Sequence, residues 1–152
     1  MVMLTHITNL GWAINIIQSR VFIPLSQFPG KGDTGMNCFA EGREYTNANH
    51  YEGSGCDLIF EWTGNVTDDT NMMLQPNWLC HHGGWRSVVT KGTNTGLTAT
   101  DIKVTSSDEW VSLLKKAPWY ILRKRRYMEA QAKELEERIR RQLRKGVPIR
   151  IS

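Results

Sequence analysis

Cysteine is scarce in this chain, with three among 152 residues: Cys38, Cys56 and Cys80. An odd number at such low density excludes a disulfide-stapled scaffold and points to a reducing cytoplasm. Long apolar runs are missing too; none approaches the roughly 18 residues that a membrane-spanning helix requires. The opening MVMLTHITNLGW has neither the basic start nor the long apolar stretch of a secretory signal. The Asn65-Val66-Thr67 sequon is therefore read as chance. There is no internal repeat and no low-complexity tract. Glycine and proline are both absent from Trp119 to Lys145, and that gap marks a long helix.

What is present is a globular composition, 40% hydrophobic with six tryptophans, in a chain of one-domain size. The net charge of +4 conceals a division. Residues 1–100 carry 5 Lys+Arg and 8 Asp+Glu, a net of −3, whereas residues 101–152 carry 14 and 7, a net of +7. A basic end on an otherwise acidic chain suits an anionic partner.

Residues 1–105 read as mostly β. CDLIFEW (56–62) alternates, placing Cys56, Leu58, Phe60 and Trp62 on one face. WAINII (12–17), VFIPL (21–25), RSVVT (86–90) and DIKVT (101–105) are rich in β-branched residues and read as further strands. Pro24 confines VFIPL to a sheet edge. FPGKGDTG (28–35), EGSG (52–55) and HHGG (81–84) supply turns. Residues 35–52 show no clear period, and 63–79 suggests a loop with a short helix. From Ser106 the period becomes helical: Ser106 and Glu109 form a capping box, Pro118 restarts or kinks the helix, and Gly146 with Pro148 stops it. The expectation is an α+β protein: a mainly antiparallel sheet over 1–105, then a Pro-kinked basic helix projecting over 106–152.

Within that helix, steps of four and three from Ile121 give Arg125, Met128, Ala132, Leu135, Ile139 and Gln142, with Leu143 adjacent. This narrow seam fits one contact line, against the sheet or a second copy of the chain. Four acids have a base four positions later: Glu129–Lys133, Glu134–Arg138, Glu136–Arg140 and Glu137–Arg141. Such pairs support an exposed helix by about 0.2–0.5 kcal/mol each.

The cationic candidates lie around this middle. Lys115 and Lys116 precede Pro118, and Arg123, Lys124, Arg125 and Arg126 form a collar around the helix. Arg126, Lys133, Arg140 and Arg144 fall near one line, with Lys145 at its end. Such a line can track a phosphate backbone or an acidic protein surface. Trp119, Tyr120 and Tyr127 flank the collar and suit either docking on the sheet or stacking on bases.

Chemistry-bearing constellations are weaker. Asp57 on one strand, then Asp101 and Lys103 on another followed by a helix, partly resembles restriction-endonuclease-like nucleases. That resemblance implies a divalent ion between the two acids and a lysine assisting the attacking water. The acids here stand 44 positions apart, and the helix that precedes them in that family is not evident. Cys56, Cys80, His81 and His82 are zinc-ligand types without zinc-site spacing. GKGDTG (30–35) lacks the order of a phosphate-binding loop. The sequence reading is thus a non-catalytic, cofactor-free binding protein. Its partner is nucleic acid or a nucleoprotein complex, not a membrane. An inhibitor of phage or mobile-element type, docking on a host defence protein, is the alternative, followed by a metal-dependent nuclease.

Overall fold

The computed structural model describes residues 1–24, 35–40, 55–67, 78–82, 86–104 and 125–152. Its strands are β1 (Val2–Thr8), β2 (Val21–Phe22), β3 (Gly35–Ala40), β4 (Cys56–Trp62), β5 (Asn65–Thr67), β6 (Trp78–His82), β7 (Arg86–Thr90), β8 (Leu97–Val104), β9 (Val147–Pro148) and β10 (Arg150–Ile151). Two helices occur among the described residues, α1 (Leu10–Ser19) and α2 (Arg125–Arg144). Eight strands form one sheet in the order β5-β6-β7-β3-β1-β4-β8-β9. All its pairings are antiparallel except β5 with β6, while β2 and β10 pair separately and in parallel. The fold is α+β, a mostly antiparallel sheet with a C-terminal helix.

β4 shows why the sheet forms. Its alternation is realised: Cys56, Leu58, Phe60 and Trp62 are buried, and Asp57, Ile59 and Glu61 face the other side half-exposed. β1 and β8 flank it, and Leu4, Leu58, Phe60 and Ile102 share one core. The ladder slips once, between Ile59 and Phe60, where Thr100 is the extra residue. Thr100 Oγ1 donates to the Ile59 carbonyl (3.4 Å), and the Asp101 carboxylate accepts from the Ile102 amide (2.8 Å).

WAINII is helical, not a strand. Asn9 caps the helix by accepting the Trp12 amide (2.9 Å), and Leu10, Ala13, Ile16 and Ile17 bury one face. Cap and packing outweigh the β-preference of isoleucine, which is small against burial. The other departures are of extent. Val2–Thr8 is a central strand, and Gly35–Ala40 is a strand inside the segment without a clear period. Asn65–Thr67 and the start of β6 are strand where a loop with a short helix is expected. VFIPL contributes only Val21–Phe22, on the small parallel pair, and β8 reaches back to Leu97. The capping box at Ser106, Pro118 and most of the turn segments lie outside the described residues.

α2 ends as the sequence predicts. Gly146 takes a left-handed φ of +75° and its amide donates to the Leu143 carbonyl (2.8 Å), after which Val147–Pro148 runs along β8. Ala132, Ile139 and Leu143 are buried in the core cluster and Leu135 packs against it. From Ala132 onward the helix therefore lies on the sheet, and this part of the seam packs into the chain's own core. The tail then closes the molecule. The Ile149 amide donates to Leu97, Arg150 to Arg20, Ile151 to Thr93 and Ser152 to Phe22, all at 2.8–3.1 Å. Val147, Ile149 and Ile151 point into the core.

Candidate nucleic-acid interface

The docked seam decides which way the cations of α2 point. With Ala132, Ile139 and Leu143 against the sheet, Lys133, Arg138, Arg141, Arg144 and Lys145 are exposed. Arg138 pairs with Glu134 at 3.7 Å, both ends well solvated, so that contact holds neither side chain firmly. Arg140 differs from its neighbours. It lies on the flank of the seam, 3.0 Å from Glu136, and its Nε is buried without a partner among the described residues. A cation held there by its own carboxylate is a poor reporter for an external anion. Among the described residues Glu137 and Arg141 make no ion pair, and the Arg141 side chain is exposed.

Of the line Arg126, Lys133, Arg140 and Arg144, the structure presents Lys133 and Arg144 outward and engages Arg140. Arg125 and Arg126 open α2, but only their backbone is described. Lys115, Lys116, Arg123 and Lys124 lie outside the described residues, as do Trp119 and Tyr120.

Three further cations, none legible as part of a surface from sequence, gather around the tail. Arg20, in a left-handed conformation (φ 60°) at the end of α1, gives its carbonyl to the Arg150 amide. Lys91 precedes Gly92, whose amide donates to the Ile151 carbonyl at 2.9 Å. Arg20, Lys91 and Arg150 are all exposed. The only signal for them is the Lys91-Gly92 turn dipeptide, which says nothing of its neighbours.

The nuclease candidates do come together. Asp57 sits directly opposite Lys103 across the β4–β8 ladder, and Asp101 opposes Ile59, two positions along the same face. Asp101 spends one carboxylate oxygen on the backbone at the bulge, which gives it a local structural task. The zinc-type set does not assemble. Cys80, His81 and His82 are on β6, and β7, β3 and β1 stand between that strand and Cys56 on β4. Four strand spacings amount to about 19 Å along the sheet, too far for one ion. Among the described residues no group of three or more His, Cys, Asp or Glu is placed to hold a metal.

Away from these groups, His6 is held among β1, β2 and β3. Its Nδ1–H donates to the Asn37 carbonyl (2.6 Å) and its ring meets Phe22 edge-on, centroids 5.1 Å apart. Burial of the ring lowers its pKa below the ordinary 6.5, opposed by the bond to Asn37. No described helix is long and apolar enough to cross a membrane. Compared with protein-family models, curated proteins and solved structures, the chain matches none.

Proposed function

We infer that this chain is a non-catalytic binding protein that engages nucleic acid, or a nucleoprotein complex, through its basic C-terminal helix. The observation that carries the reading is the seating of α2: its apolar seam is spent on the sheet, and Lys133, Arg141, Arg144 and Lys145 are left exposed on a supported element. A helix held this way presents cations without first paying to order itself. In the sequence the collar Arg123–Arg126 directly precedes this stretch and adds four further cations to it. The two buried thiols, Cys38 and Cys56, suit a reducing cytoplasm. Co-purification from native lysate with and without nuclease tests the reading. Nucleic acid, or a partner released by nuclease, should accompany the chain and disappear when Arg123, Lys124, Arg125 and Arg126 are changed to Gln.

One observation favours a second reading. Asp57, Asp101 and Lys103 share a face of neighbouring strands, as a metal-dependent nuclease needs. Purified protein with magnesium or manganese is expected to leave DNA and RNA uncut. Cleavage that disappears in both Asp57→Asn and Asp101→Asn would replace the binding reading with the enzymatic one.

A further inference from the structure

Trp12 is the one exposed aromatic side chain among the described residues, at 50%. It sits in the first turn of α1, where Asn9 fixes its backbone, on a helix whose opposite face is buried. α1 and α2 bury their apolar faces in the same core cluster, so they cover the same side of the sheet. Eight residues on, about 12 Å along the axis, α1 ends at Arg20. There the tail brings in Arg150 and the turn brings in Lys91. Lys145 is five residues before Arg150, at most about 16 Å of extended chain. No Asp or Glu occurs in residues 18–24, 90–96 or 144–152, the segments that meet here. The nearest acid in register is Glu61 on β4, opposite Thr98, which itself pairs with Pro148.

A group of cations from three separate parts of the chain, whose own segments carry no acid and which continues from the end of α2, is complementary to a polyanion. A half-bare indole on the adjoining helix adds what a phosphate-only site does not use: a flat apolar surface for an unpaired base. Bases stacked inside a duplex present no such face. We propose that Trp12, Arg20, Lys91 and Arg150 form a contact for single-stranded nucleic acid, with a base stacked on Trp12 and the backbone running over the three cations toward Lys145. This rests on the binding reading of α2 and narrows its ligand class.

The test is fluorescence anisotropy on the full chain with a labelled mixed-sequence single strand and its matched duplex, over a salt series. The single strand should bind more tightly than the duplex. Trp12→Ala should weaken single-strand binding by about fivefold or more, and Trp12→Phe should restore most of it. Changing Arg20, Lys91 and Arg150 together to Gln should lower the salt slope for the single strand by about two. Thermal melts of the same variants confirm that the fold is retained, and the Trp12→Phe comparison decides the matter even if the charge variant is unstable. If the wild-type chain binds but Trp12→Ala and the charge variant bind equally well, or if the duplex is preferred, this inference is overturned and the helix reading stands. Should wild-type protein bind neither ligand at low salt, both are overturned.

Discussion

Gly35 shows how far one side chain can be refused. A Cβ there would lie 1.9 Å from the carbonyl oxygen of Val89, and that obstacle is backbone, so β3 and β7 would have to separate. Gly35→Ala should therefore cost about 1–3 kcal/mol or more, measured as a lowered urea midpoint with the same transition slope. His6 makes a different prediction. Its folded pKa lies below the unfolded 6.5, so the unfolded chain binds the proton more readily. The stability this group contributes is complete above about pH 6.5 and is lost as pH falls toward the folded value. Urea melts at pH 7.5 and pH 5.5 should show a larger loss for the native chain than for His6→Gln. An equal loss in both would mean that other groups carry the pH dependence.

The elements differ in how plainly their residues declare them. β4 is readable because its alternation is bounded by glycine turns, and the end of α2 because Gly146 supplies the left-handed residue that the stop requires. α1 reads as a strand because its isoleucines carry β-preference, while the informative residues are the Asn9 cap and the Leu10, Ala13, Ile17 spacing. β3 is hidden for another reason: it lies between β1 and β7, so its pairing depends on strands remote in sequence. For the candidate interface, the cations of α2 are legible locally, but their orientation is not. That follows from Ala132, Ile139 and Leu143 docking on the sheet. Leu143, fully buried, tests the docking: Leu143→Ala should cost about 2–5 kcal/mol. Arg141→Gln, two residues away and on the opposite, exposed side, should change stability by less than about 0.5 kcal/mol. Binding should respond in the opposite order, which separates the two faces of one helix.

At the scale of the whole molecule, the tail joins what would otherwise be separate edges. Residues 147–152 bond to Leu97, Thr93, Arg20 and Phe22 and bury Val147, Ile149 and Ile151. The end of the basic helix is thereby tied to α1 and to the turn at Lys91, and on the reading proposed above the cations act as one surface. Such a surface should be read by a polyanion mainly through its charge. Each phosphate contact releases counterions and contributes a slope of about −0.7 to −0.9 in log affinity against log salt. A gel-shift series over salt, with single- and double-stranded DNA and RNA, is the most direct measurement. With about three to five contacts, affinity should fall roughly a hundredfold for a fourfold rise in salt, in parallel for unrelated sequences. Absence of binding to every DNA and RNA at low ionic strength would contradict the account and leave an acidic protein surface as the partner.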